Sequence, residues 1–226
     1  MVGMLFFPQE KVLLAIKYLA SGAFMQICGD SHSSHKSTVL SCTLAATIGS
    51  PTALADEKTL NLIKESALAF KKTVYVPSGA FWGAEDVKKM ADNGKLKELT
   101  ITMQKHPSAF RLETPLKEMN ESFDGISKVL YEGPVKYLCG LAPNNVNTMA
   151  VACIAGHNLG FDKVVGRLIS DKRLSSWHIV EAELKGDNGF CVKVTRKNPA
   201  LSGAVSGLAT YDSFWSSLKS NLKFYS

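Results

Sequence analysis

Two periods of hydrophobic and polar residues run through this chain. A spacing near 3.6 marks helices, and strict alternation marks half-buried strands. Helical spacing appears over Lys11–Phe24, where Leu13, Leu14, Ile16, Leu19 and Phe24 recur behind Pro8, a residue suited to a helix's first turn. It returns with Leu60, Ile63, Ala67 and Phe70, after Asp56 as a natural cap. A short helix is expected over Val87–Ala91, stopped near Gly94. Another carries Val146, Met149, Ala150, Cys153 and Ile154, and the last runs over Val205–Leu222 with Tyr211, Phe214, Trp215 and Leu218 on its packing side. Strands are expected at Val39–Ile48, Thr73–Val76, Leu99–Met103, Val129–Tyr131, Lys163–Ile169, Ile179–Leu184 and Phe190–Thr195. The final two are joined by KGDNG, which has good hairpin chemistry in Asp187, Asn188 and Gly189. Ile27–Ser41 and Phe110–Gly125 lack a period and are expected as loop.

The order strand, helix, strand between Val39 and Val76 predicts a βαβ unit, the building block of a parallel α/β sheet. The later hairpin predicts an α+β domain whose sheet is covered on one side. The expected division is residues 1–83, residues 84–204, and a terminal helix over 205–226 that packs back on the first part.

Composition narrows the picture only a little. At 226 residues, 46% apolar and 20% charged, the chain can bury a sizeable core. The formal charge of +6 is scattered, with Lys71–Lys72 and Lys88–Lys89 as the main pairs, so no nucleic-acid stripe is expected. No apolar run is long enough for a membrane span, and the N-terminus reads as no secretory signal, so a cytoplasmic protein is expected. Five widely spaced cysteines show no metal-ligand spacing, and Cys153 and Cys191 are expected in the core.

Four groups of residues can carry chemistry. In APNNVNTMA, Asn144, Asn145 and Asn147 stand at the mouth of a helix. They serve there as loop and cap residues, or present amides to a ligand. In WHIVEAEL, alternation puts His178, Val180, Ala182 and Leu184 on one face, and Trp177, Ile179, Glu181 and Glu183 on the other. His178 therefore points with apolar residues, as a core histidine or as a general acid–base. The loops GSPTALAD and SGAFWGAED follow strands, where α/β sheets bind ligands. Arg111, between Phe110 and Leu112, is a surface residue or a carboxylate clamp.

GSPTALAD, SGAFWGAED, HPSAFRLETPL, YEGPV, APNNVNTMA, LGFD and WHIVEAEL, in that order, resemble the aspartate dehydrogenase family, most of all its animal members. The resemblance runs roughly from Ile48 to Trp215. It implies an α/β fold: an incomplete Rossmann-type parallel sheet plus an α+β catalytic domain with a mixed sheet that helps form a homodimer. It implies oxidation of L-aspartate through iminoaspartate to oxaloacetate and ammonia, with NAD or NADP as cofactor and no metal. By this resemblance His178 is catalytic. The resemblance also matches the loops Ser78–Gly83 and Asn144–Asn147, and together with the residue reading above, Arg111, Asn145 and Asn147 are expected to bind substrate and Ser50, Ala53, Ser78, Gly79, Ala80 and Asn145 to meet the cofactor.

The family's GxGxxG turn, which seats the pyrophosphate at a helix N-terminus, occurs nowhere in these residues. NPALSG at Asn198–Gly203 also departs from the microbial pattern of a lysine and threonine after NP. Weak or lost NAD(P) binding by this chain is therefore expected, and a second expectation follows: an impaired, truncated homologue that dimerises without catalysis.

Overall fold

The computed structural model describes residues 45–47, 50–69, 73–79, 81–208, 212, 213 and 216. Two compact units divide the chain, one ending at Pro77 and the other spanning Ser78–Ser216. The sequence-predicted helix over Lys11–Phe24 and the loop over Ile27–Ser41 lie outside the described residues.

The first unit contains β1 (Ala45–Thr47), a 3-10 turn over Pro51–Ala55, α1 (Glu57–Ala69) and β2 (Thr73–Tyr75). β1 and β2 pair in parallel, so the expected βαβ arrangement is present. Asp56 begins α1 as its sequence suggests, its carboxylate accepting from the Thr59 backbone N–H at 2.9 Å and the Thr59 hydroxyl at 2.6 Å. These bonds hold the Asp56 carboxyl below the usual carboxylate range.

The second unit opens with α2 (Ala84–Asp92) and β3 (Glu98–Lys105). It continues through α3 (Leu116–Glu121), β4 (Ser127–Pro134), α4 (Val135–Leu141), α5 (Asn147–Ala155) and α6 (Gly160–Lys163). β5 (Val165–Asp171), β6 (Trp177–Lys185) and β7 (Cys191–Pro199) complete a sheet of order β4-β5-β3-β6-β7. β3 and β5 run parallel, while the pairs β4–β5, β3–β6 and β6–β7 are antiparallel. This is the mixed sheet of an α/β fold.

One sheet face supplies the core. Leu99, Ile101 and Met103 on β3 stand opposite Leu184, Ala182 and Val180 on β6, and all six are buried. Leu168 on β5 is fully buried on the same face. α5 lies against this layer with seven of its nine residues buried, so its sequence is apolar nearly all round rather than on one stripe. Gly166 explains how closely the helices approach. A Cβ there would meet Met149 Sδ at 2.9 Å, Val135 Cγ2 at 3.2 Å and Leu138 Cδ2 at 3.3 Å. A glycine inside β5 is thus a packing requirement of α4 and α5.

Several elements differ from their sequence-predicted forms. β3 extends to Lys105 rather than stopping at Met103, and β4 runs over Ser127–Pro134 rather than three residues. α3 lies within the span expected as loop, because a six-residue helix offers too few turns to show a period. Cys191 is exposed, not in the core: β7 alternates, and Cys191 falls on its outer register. Cys153 and Cys139 are buried, and burial pushes the Cys139 thiol up to about 12. The expected helix over Val205–Leu222 does not begin at Val205, since residues 205–208 form bends and a turn. Asp212, Ser213 and Ser216 are helical, and the remainder of that span lies outside the described residues.

Candidate functional site

The apolar face of β3 and β6 changes character at one end. The register that pairs Leu99 with Leu184 and Met103 with Val180 brings Lys105 and His178 to the same side, one step further along. Both are buried, Lys105 at 3% exposure and His178 at 5%. Ser170, the β5 partner of Lys105, is fully buried. Asn198, the β7 partner of His178, is also buried, and its amide approaches the His178 carbonyl at 3.5 Å. This polar group stands at the carboxyl ends of the parallel strands β3 and β5, where α/β sheets receive ligands.

The segment after β7 folds back over both side chains. Ala200 N–H donates to Ser176 O at 2.9 Å, and Leu208 N–H to Pro199 O at 3.1 Å. Lys105 Nζ donates to Val205 O at 2.8 Å, and the backbone of Ala204 lies beside the His178 ring. Gly207 lies so close that a Cβ would meet Asn198 Cβ at 3.2 Å and the His178 ring at 3.9 Å. Desolvation, and then the charge of Lys105, pull the His178 imidazole down to about 4, against a smaller opposing pull from Ala204. The ring is therefore neutral at physiological pH, and in the empty site it is a weaker base than a free imidazole. Burial pulls the Lys105 ammonium down to about 7. The Phe110 ring centroid lies 5.9 Å from Lys105 Nζ, at the edge of cation–π range.

The asparagines divide by environment. Asn144 is exposed. Asn145, 2% exposed, accepts from Arg111 N–H through Oδ1 at 2.8 Å and donates to Ala109 O through Nδ2 at 3.2 Å. It therefore pins the loop after β3 to the turn before α5. Asn147 is the first residue of α5 and half-buried, while the cap position belongs to Val146, which offers no side-chain bond. Arg111 is exposed, and its Nη1 donates to Ser108 O at 3.1 Å and Phe110 O at 2.9 Å.

Ser78 and Gly79 begin the second unit. Gly79 has φ +56°, a left-handed conformation that favours glycine. Its carbonyl accepts from Ser213 Oγ at 3.0 Å and more distantly from Arg196 Nη1 at 3.5 Å. Ser50 and Ala53 belong to the first unit, where Ser50 Oγ lies 3.1 Å from Thr52 Oγ1 and Ala53 N–H donates to Ser50 O. Ala80 lies outside the described residues. His157 joins the ends of α5 and α2, its Nε2 2.9 Å from Asp92 Oδ1.

The strand expected from sequence stops at Met103 and so leaves out Lys105, which β3 includes. The signal was available: alternation through LTITMQK puts lysine in step with Leu99, Ile101 and Met103. Ser170 and Asn198 carry no such mark, since each is an unremarkable strand-end residue.

Among the described residues, no group of three or more His, Cys, Asp or Glu side chains can hold a metal ion, and no helix is long and apolar enough to cross a membrane.

The second unit is thus a mixed α/β sheet that ends in a buried histidine beside a buried lysine. The chain belongs to the aspartate dehydrogenase family: residues 86–217, more than half of it, match the family model "Aspartate dehydrogenase, C-terminal". It is 54% identical over 177 residues to an aspartate dehydrogenase domain-containing protein of Xenopus tropicalis, covering 76% of this chain and 62% of that one. An L-aspartate dehydrogenase of Methanococcoides burtonii is 31% identical over 169 residues, covering 74% of this chain and 61% of its own. The crystal structure of an aspartate dehydrogenase from Thermotoga maritima shares the fold, with a TM-score of 0.61 at 20% identity, covering 98% of this chain and 80% of that one. The chain thus spans about three-fifths of the curated relatives it matches.

Proposed function

We propose that this chain carries the catalytic half of an NAD(P)-dependent oxidoreductase that converts L-aspartate through iminoaspartate to oxaloacetate and ammonia. The observation that supports this most is His178, a buried neutral imidazole at the carboxyl end of the sheet in a domain of this family.

Loss of hydride from an amine carbon requires the nitrogen to be unprotonated. Water must then add to the resulting imine. His178 is the proposed proton carrier in both steps, its ring neutral in the empty site and held there below the basicity of a free imidazole by burial and by Lys105. The Ala204 contact orients the ring, and the returning Ala200–Leu208 segment limits its access to bulk water. Asn147 and Arg111 are the proposed substrate contacts from the α5 entrance and the β3 loop. Asn145 acts by fixing the backbone between them.

A nicotinamide cofactor supplies the hydride acceptor in such a reaction. Small residues at Ser78–Gly83, with left-handed glycines at 79 and 83, fit the close approach of a flat ring. Ser50 and Ala53 are the remaining proposed cofactor contacts. No glycine turn in these 226 residues fits the pyrophosphate. Even one lost charge-assisted contact costs about 1.5–3 kcal/mol, so weak NAD(P) binding is the proposal for this chain alone. Titration with NADH and NADPH, following nicotinamide fluorescence, checks it: tight saturable binding would overturn the expectation. Fusing the N-terminal segment of the Xenopus relative should restore binding and aspartate-dependent NAD(P)H formation.

A homodimer is the proposed assembly, and the opposite sheet face favours it. Thr100, Gln104, Arg167, Ile169, Glu181 and Glu183 lie there, each half-buried. Arg167 reaches Glu132 at 2.6 Å, while its buried Nε has no partner among the described residues. A second copy can supply that acceptor. Light scattering at micromolar concentration would show a dimer, and a strictly monomeric mass would overturn this assignment.

A further inference from the structure

We propose that Lys105 is the cation that receives a carboxylate of the ligand bound at His178. This rests on the dicarboxylate reading of the site, which it deepens by assigning the counter-charge.

An ammonium has three donors and no acceptor. Lys105 Nζ uses one of them on Val205 O at 2.8 Å. Among the described residues it has no other hydrogen-bond partner and no ion pair, although it is almost completely buried. Buried charges are ordinarily paired. Asp171, at the end of the neighbouring strand β5, is paired with Arg173 at 2.6 Å. β3 thus delivers a lysine with no ion pair, partly protonated at neutral pH, into a site whose other polar groups, Ser170, His178 and Asn198, are uncharged there.

A bound carboxylate completes this arrangement. It supplies the missing negative charge and accepts the remaining N–H donors. The burial that pulls the free ammonium toward neutrality makes it a strong partner for an anion, because little water competes for it. Arg111 lacks this property: it is exposed and its Nη1 is already turned to local carbonyls. Lys105 therefore anchors the carboxylate, leaving the amine end of the ligand to His178.

Succinate tests this without cofactor or turnover. It keeps both carboxylates of a four-carbon dicarboxylate and lacks the amine. Calorimetry on the 226-residue protein should show saturable succinate binding, and none with the uncharged diamide of the same skeleton. Lys105→Met should weaken succinate by roughly ten- to a hundred-fold, the range for one lost charge-assisted bond, while Lys105→Arg should retain most of it. In protein labelled at lysine, the Lys105 Nζ titration should move to higher pH on addition of succinate. Absence of succinate binding to the unaltered protein, equal binding to Lys105→Met, or an unmoved titration would each overturn the proposal. Folding of Lys105→Met is checked by its amide spectrum. If succinate binds through Lys105 but the fused, cofactor-binding form fails to oxidise aspartate, the reaction assignment fails and this one stands. If that form oxidises aspartate with unchanged KM after Lys105→Met, the reverse holds.

Discussion

The two ends of one sheet face share strands, register and burial but differ in chemistry. At the centre, Leu99, Ile101, Met103, Leu168, Ala182 and Val180 are all buried and all apolar. One step beyond, the same strands in the same register place Lys105, Ser170 and His178, no less buried. Geometry alone therefore does not separate core from site. What separates them is residue chemistry at equal burial, and polar groups persist in such positions only when hydrogen-bonded or when they serve a ligand.

That contrast can be broken at either end. The largest expected effect is at the polar end. His178→Ala, in the form fused to the N-terminal segment of the Xenopus relative, should lower aspartate-dependent turnover by about 10²–10⁴-fold, the usual share of a general acid–base. Its melting temperature should fall far less than that of a core variant. Normal turnover would remove His178 from the reaction. At the apolar end, Leu168→Ala should cost about 2–5 kcal/mol of unfolding free energy by leaving a cavity. Chemical denaturation measures it, and succinate affinity should stay unchanged while the protein remains folded.

Gly166→Ala should cost about 1–3 kcal/mol, because the added methyl meets Met149, Val135 and Leu138 on fixed backbones. An unchanged denaturation midpoint would show that α4 and α5 shift freely.

A pH-dependent effect separates the ends most selectively. The His178 imidazole lies near 4 in the folded chain, against 6.5 for the free group. Between those values the unfolded chain binds the proton and the folded chain does not. Stability contributed by His178 is therefore present above about 6.5 and is lost as pH falls toward 4. Subtracting the denaturation profile of His178→Gln should isolate this slope, and parallel profiles would show that the ring is not desolvated.

The sequence showed the central, repetitive parts of this fold well. Alternation in WHIVEAEL predicts both faces of β6, and the observed burial follows it residue by residue. The cap at Asp56 and the βαβ order also follow directly from local chemistry. Short elements were illegible for a physical reason: α3 and α6, of six and four residues, make too few turns to impose a period. Asn145 shows a different limit. Its type suggests a cap or a ligand contact, but its bonds run to Ala109 and Arg111, more than thirty residues away in sequence. Only the assembled loops bring those backbone groups together. The same holds for the Ala204 and Val205 contacts, which depend on how the chain returns after β7.

Lys105 has a consequence for anyone redesigning this domain. At a fully enclosed position on an alternating strand, packing favours methionine or leucine, and a buried unpaired ammonium is a standing liability. A procedure that ranks substitutions by thermal resilience would choose Lys105→Met early and would be rewarded with a sturdier protein. Heat tolerance and ligand capture pull in opposite directions at this one residue, so a stabilised variant should be screened for dicarboxylate affinity before its melting temperature is taken as progress.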